Sequence, residues 1–430
     1  MRYIIWITAL CSLLFGAQRH FTFHELLGEE SGNRLLVIGG VHGDEPGGYF
    51  APAILAQHYR IKKGSLWVVP NLNFDSIVEN RRGIYGDMNR KFASIKKSDK
   101  DYQIVNDIKK IITDKSVDFV INLHDGHGFY RQKWQNSIFN PRAWGQAYII
   151  DQKGIDEVKF GNLDEITLQM TNNLNQNLHK DYHSFNIKNT ETKFKDEEMR
   201  MSLTFFAITH LKPALAIETS KNISELDQKV YYQLQSIEEL MKIMGIAFER
   251  DFELKVSEVH RLLAQYGDVR INENIILPLS DIRPVLRYIP LLPSGNRFEF
   301  SHPLGTFKRV GDHYEMIVGN RVLSRFYPQR FGSTQCRVKS AELAVDGTVQ
   351  SYPFGAQVEV GERFLVRAQE GIRVNVIGLV DKNHASQDEI EVRREMILPR
   401  FSVDKGARTY RVEFYEGGAF CGMVTTHFAK

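Results

Sequence analysis

Two apolar runs in this chain end in the same way, and that repetition constrains the fold more than any bulk property. Leu35 to Ile38 opens into Gly39-Gly40-Val41-His42-Gly43-Asp44-Glu45-Pro46, and Phe119 to Ile121 opens into Asn122-Leu123-His124-Asp125-Gly126. A short apolar run bounded by glycine reads as a buried strand closed by a tight loop. On the first loop His42 and Glu45 stand three apart, close enough for an imidazole and a carboxylate to share one divalent metal. Alone, that pair reads as ordinary solvated loop polarity. His124 at the end of the second run completes a set of two histidines and one carboxylate. A catalytic zinc needs three such ligands and keeps a further position open for water.

The surrounding pattern supplies a frame. From about Phe21 to Arg250, strand-like runs at Arg34–Gly39, Ser65–Pro70, Val117–Leu123, Ser137–Phe139 and Pro213–Ile217 alternate with helical stretches. Those stretches are Gly48–Tyr59, Tyr102–Thr113, Leu163–Leu178 and Ile223–Glu249. The alternation predicts an α/β unit with a mostly parallel sheet covered by helices on both faces. Ligands bind such sheets beyond the carboxyl ends of the strands, and His42, His124 and Glu218 each follow an apolar strand. Glu218, closing Pro213-Ala214-Leu215-Ala216-Ile217, needs a partner or a function, because an unpaired buried carboxylate is costly. Beside a metal-activated water it would act as general base; the other reading is a solvent-facing residue at a helix start.

After Asp251 the grammar changes to short alternating runs separated by Gly, Pro and Asp, which predicts all-β structure. We expect a β domain at 251–333 and a sandwich-like, immunoglobulin-like domain at 334–430, after an α/β domain at 19–250. At 43% hydrophobic and 25% charged, the 430-residue chain is ordinary globular material. A net charge of +3, with no basic block interleaved with aromatics, excludes nucleic acid as an expected partner.

Met1-Arg2 followed by an apolar stretch from Tyr3 to Phe15 and then Gly16-Ala17-Gln18 reads as an export signal over residues 1–18. The alternative is an uncleaved anchor. Export leaves Cys336 and Cys421 in the mature chain, either joined in a disulfide or buried unpaired.

Between the two His segments lies Arg81-Arg82-Gly83-Ile84-Tyr85-Gly86-Asp87-Met88-Asn89-Arg90-Lys91-Phe92. A hydrolase acting at a chain terminus must grip a free carboxylate and polarise the scissile carbonyl, and guanidinium groups suit both tasks. Asn89 beside Arg90 adds amide donors, whereas Arg81 and Lys91 read as solvated basic residues. Trp144 is placed to stack on substrate and Thr204 to contact it; both residue types also serve as plain packing. His127 reads as a residue outside the metal set.

Taken together, His42-x-x-Glu45, Arg82, the Asn89-Arg90 pair, His124 and Glu218 resemble the zinc carboxypeptidase family in order and rough spacing. Arg82 through Phe92 looks like that family's Arg…Asp-Leu-Asn-Arg-x-Phe signature, with Met88 in place of Leu. The resemblance implies one zinc held by His42, Glu45 and His124, with Arg82 polarising the carbonyl. It also implies Asn89 and Arg90 clamping the substrate carboxylate, and Glu218 as catalytic base. It covers about residues 21–250. The segment Met199 to Phe206 lacks the tyrosine that digestive members carry there, so the pocket lining differs.

With an export signal and trailing β domains, the chain resembles the helical-cell-shape peptidoglycan DL-carboxypeptidases of curved bacteria. That resemblance implies a periplasmic enzyme that trims murein tripeptide stems to dipeptides by releasing meso-diaminopimelate from γ-D-glutamate. The β domains would then meet murein or a cell-shape partner protein. Two other readings stand beside it: a carboxypeptidase-like deacylase of N-acyl amino acids, and a non-catalytic wall-binding protein.

Overall fold

A computed structural model of the protein describes residues 20–331, 336–380 and 384–429. The expected leader at 1–18, with Cys11, and the Gly332-Ser333 boundary lie outside those residues.

The N-terminal unit is built on one mixed sheet of eight strands. In chain order they are β1 (His24–Leu27), β2 (Glu30–Ile38), β3 (Tyr59–Val69), β4 (Phe119–Gly126), β5 (Ala147–Ile150), β6 (Asn186–Asn189), β7 (Ala214–Ser220) and β8 (Ala247–Arg250). The spatial order is β1-β3-β2-β4-β7-β5-β6, with β8 also pairing β3. At its centre β3, β2, β4 and β7 run parallel, while β5 lies antiparallel to β7. β4 is buried along its whole length and β7 nearly so, as expected for strands covered on both faces.

Helices α1 (Pro46–His58), α2 (Tyr102–Ile112), α3 (Leu163–Leu174), α4 (Leu203–Thr209) and α5 (Leu226–Ile243) cover this sheet. α5 packs on both α1 and α3, and α4 packs across β4 and β7. Glu45 occupies the N-cap of α1 and Pro46 follows inside the first turn, where its missing N–H costs nothing. The first metal-ligand candidate loop therefore runs directly into a buried helix.

Four sequence expectations are corrected. The expected helix over Ile223–Glu249 stops at Ile243, and Ala247–Arg250 becomes an edge strand. Gly245, at φ +69°, supplies the left-handed residue that ends such a helix. The expected strand at Ser137–Phe139 is only Phe139–Asn140, paired with Phe129–Tyr130 off the main sheet. β5 and β6 were not foreseen. His124 and Glu218 lie inside their strands, not beyond the ends, because β4 and β7 stay paired through Gly126 and Ser220.

Seven strands between Asp268 and Arg330 form a three-stranded and a four-stranded sheet. Their apolar residues, among them Val269, Met316 and Phe326, join the same continuous core as the α/β unit. Contacts to the α/β unit include the Arg321 guanidinium, 5.1 Å from the ring centroid of Phe50 in α1, and Asn71 Nδ2 after β3, which donates to the Pro303 carbonyl at 3.1 Å.

From Ser340 onward, two four-stranded sheets face each other as a sandwich. Leu343, Phe364 and Val392 from one sheet meet Val358, Val374, Val412 and Phe428 from the other in a separate core. Cys336 and Cys421 are joined by a disulfide, the first of the two states that sequence left open. Among the described residues, no helix is long and apolar enough to cross a membrane.

Candidate active site

The sheet register brings the candidate residues together. β4 and β7 are neighbours with His124 opposite Glu218, and Ala147 of β5 lies on the other side of Glu218. The loop after β2 carries His42 and Glu45 over the end of β4. His42 Nδ1 lies 3.0 Å from Glu45 Oε1, His124 Nδ1 lies 2.8 Å from Glu45 Oε2, and the two Nδ1 atoms are 3.1 Å apart. All three side chains are buried.

This donor set fits a divalent metal. One ligand atom from each residue lies within 4.8 Å of those of the other two. Ligand atoms around a tetrahedral metal with bonds of about 2.0–2.2 Å sit about 3.3 Å from one another, close to the spacings seen. Two imidazole nitrogens aimed at each other at 3.1 Å cannot both carry a proton along that line, so the arrangement favours a shared cation between them.

Asp87 anchors the set from outside. Its Oδ1 lies 2.8 Å from His42 Nε2 and also accepts the Asn89 N–H at 2.9 Å, capping the short turn Met88–Arg90. Its Oδ2 accepts from Arg82 Nε at 3.0 Å. A carboxylate behind a ligating histidine fixes the ring orientation and tautomer. Burial works against protonation of His42, but the charges and hydrogen bonds of Glu45 and Asp87 outweigh it and raise its pKa to about 9. Burial pushes the Glu45 carboxyl up; the two imidazoles beside it prevail and hold it well below the usual range.

The ligand cluster opens into a cavity of about 430 Å³ lined by Arg82, Asn89, Arg90, Trp144, Thr204 and Glu218, among others. Half-buried Glu218 makes no hydrogen bond or ion pair among the described residues, and burial followed by the Glu45 charge pushes its pKa well up. The alternative of a solvent-facing helix start is overturned. Gly126 makes room for this carboxylate: a Cβ there would sit 2.8 Å from Glu218 Oε2 and 2.6 Å from Trp144 Cβ.

Arg82 sits at the rim, with Nη1 donating to Glu45 Oε1 at 3.1 Å. Asn89 Oδ1 accepts from the Leu203 amide at 2.9 Å, and Arg90 donates to the Asn89 carbonyl at 3.2 Å. Trp144 lies under the Lys188 ammonium, 3.8 Å from its ring centroid. Thr204 is buried on the wall, and its hydroxyl is shared with Ser202 and Asp151.

Of the residues read as bland, Lys91 is tied to Asp99 and Asp101, so it is an internal strut rather than a solvated cation. Asp125 is structural: its Oδ2 accepts the Gly47 amide at 2.9 Å and its Oδ1 accepts from Thr219. His127 lines the cavity outside the ligand cluster.

A family model described as the catalytic part of the carboxypeptidase controlling helical cell shape matches residues 2–264. The chain belongs to this family. A second model of the carboxypeptidase, its metallo-carboxypeptidase C-terminal domain, matches residues 334–429.

Among solved structures, the carboxypeptidase chain is similar to product-bound cell shape determinant protein Csd4 from Helicobacter pylori. The two are 35% identical over 95% of this chain and 100% of that one, with a TM-score of 0.90. It is equally similar to tripeptide-bound Csd4 from Helicobacter pylori, at 34% identity over 95% and 100% of the two chains and a TM-score of 0.90. The mDAP-bound form of that D,L-carboxypeptidase matches at 34% identity over 94% and 100%, again with a TM-score of 0.90. No curated protein sequence matches the chain. Membership of this family implies a metal, and the buried His42, Glu45 and His124 cluster is compatible with holding one.

Sequence reasoning quoted Asp87 without giving it a role. The signal was its place two residues before Asn89, at the start of the short turn Met88–Arg90, where an Asp caps a turn.

Proposed function

We propose that this protein is an exported, zinc-dependent DL-carboxypeptidase that releases meso-diaminopimelate from murein tripeptide stems and leaves dipeptides. The observation that carries the reading is one cavity holding three converging ligand atoms, an unpaired carboxylate at Glu218 and the Asn89-Arg90 pair. Support for the substrate comes from Csd4, whose solved forms hold a tripeptide, a product and mDAP.

In this reading Asn89 and Arg90 hold the free carboxylate of the leaving residue, and Arg82 leans on the scissile carbonyl from the rim. The metal supplies Lewis acidity and lowers the pKa of water at the site. Glu218 takes the proton of the attacking water and hands it to the leaving amine. Trp144 and Thr204 shape the wall against which the leaving residue lies. Two histidines and one carboxylate favour zinc among divalent ions.

The chain divides, on this reading, into a leader at 1–18, a catalytic unit at 19–250 and β units at 251–333 and 334–430. The middle unit braces α1 behind the His42 loop. The last unit positions the enzyme on murein or on a cell-shape partner.

The test is product analysis by mass spectrometry on muramyl tripeptide and tetrapeptide, with and without chelator. Free diaminopimelate from tripeptide alone, abolished by chelator, is the expected result. No release from either stem by zinc-loaded protein, with hydrolysis of N-acyl amino acids instead, would overturn it.

A further inference from the structure

Asn122 is buried, with 1% of its surface exposed, and neither its Nδ2 nor its Oδ1 has a hydrogen-bond partner. Among the described residues it is the one buried carboxamide with both atoms unpartnered. Nearby amides are used: Gln146 Nε2 donates to the His183 carbonyl at 2.7 Å, and its Oε1 accepts from the Ser220 amide at 3.3 Å. A buried amide left without partners is costly, and such a group in a native protein calls for a physical reason.

Its position supplies one. Asn122 lines the same cavity as His124 and Glu218. Register places Asn122 beside Ala216, and Ala216 beside Ile149, in one row across β4, β7 and β5. The row His124–Glu218–Ala147 lies two residues further along, a rise of about 7 Å. The cavity therefore has a reactive level and, one step deeper, a floor of two apolar side chains with a carboxamide at one end.

We propose that Asn122 is a specificity-determining residue, whose carboxamide reads an ammonium and a carboxylate borne on one carbon at the far end of the leaving residue's side chain. The proposal rests on the carboxypeptidase reading above and names what that site selects. Methylenes of the leaving residue pack over Ala216 and Ile149. Nδ2 then donates to the distal carboxylate, while Oδ1 accepts from the distal ammonium. A lysine side chain brings only the ammonium and satisfies only Oδ1, leaving Nδ2 buried and unpaired. A site built to pair polar groups discriminates strongly against an analogue that lacks one.

The test compares γ-D-glutamyl-meso-diaminopimelate with γ-D-glutamyl-L-lysine as substrates for wild type, Asn122→Leu and Asn122→Ser, all metal-loaded. Wild type is expected to favour the diaminopimelate peptide. In both variants kcat/KM on that peptide falls ~10- to 100-fold, with a much smaller change on the lysine peptide, so the preference collapses. Asn122→Leu keeps the volume and removes the unpaired amide, so its unfolding temperature is expected to hold or rise. Equal losses on both peptides with a lower unfolding temperature would mark a purely structural residue and overturn the proposal. An unchanged preference in the variants, or its absence in wild type, overturns it too while the hydrolase reading stands. If wild type cleaves neither peptide, the hydrolase reading falls and this proposal with it.

Discussion

The two ends of the molecule treat buried polarity in opposite ways. In the C-terminal sandwich, the buried Arg411 guanidinium forms an ion pair with buried Glu413, at 3.0 Å. Arg411 also donates to the carbonyls of Tyr288 and Arg287, and the Tyr415 hydroxyl donates to Glu413. On the opposite face of the same strand, Tyr410, Val412 and Phe414 enter the apolar core of the sandwich, which also holds the Cys336–Cys421 disulfide. At the centre of the N-terminal sheet, the Nδ1 atoms of two histidines face each other, and among the described residues neither Glu218 nor the Asn122 carboxamide has a hydrogen-bond partner. Polar groups left unpaired are expensive, so they persist only where a surrounding core fixes them and a ligand completes them. The sandwich is built for stability. On the proposed function, the sheet centre is built to be completed by metal and substrate.

That contrast can be broken most decisively at Glu218. Glu218→Gln removes the proton acceptor while keeping its shape, and kcat is expected to fall ~10²- to 10⁴-fold with the unfolding temperature unchanged or raised. Steady-state kinetics beside calorimetry checks both halves. A matching loss of stability would place Glu218 among structural residues.

At the other end the expectation inverts. The disulfide spans 85 residues, and opening it in a Cys336→Ser, Cys421→Ser variant is expected to cost the C-terminal unit on the order of 4 kcal/mol through the entropy of the unfolded chain. Hydrolysis of soluble peptides at 25 °C should stay at the wild-type rate. Denaturant titration and a peptide assay on the same sample would test the separation.

Smaller effects sharpen the picture inside the site. Asp87→Asn retains the cap on the Met88–Arg90 turn but weakens the hold on His42, and metal affinity should drop ~10- to 100-fold by competition with a chelating dye. Gly126→Ala pushes a methyl against Glu218 and Trp144 and is expected to destabilise by about 1–3 kcal/mol, measured by thermal unfolding.

Much of the site was legible because each chemical residue ended an apolar run. His42, His124 and Glu218 stand out against Leu35–Ile38, Phe119–Ile121 and Ala214–Ile217, and a parallel sheet has a fixed end at which such residues meet. Asp87 was visible but mute, since its role depends on a turn that only folding creates. Asn122 was hidden between the Phe119–Ile121 run and His124, inside the same strand. β5 and β6, at four residues each, are too short to leave a period in sequence. β8 was absorbed into the helical pattern before it, because Gly245 alone marks the stop. The disulfide could not be read from spacing, because pairing depends on two strands of the sandwich meeting in space.

The central claim is that His42, Glu45 and His124 hold the metal that makes this sheet end catalytic. Anomalous scattering at the zinc edge, from crystals of protein purified without chelator, tests it most directly. The account predicts one peak per chain, bounded by Nδ1 of His42, Nδ1 of His124 and the Glu45 carboxylate, and no such peak in a His124→Ala variant. A peak at other residues, or none in a protein that still hydrolyses the tripeptide, would contradict it.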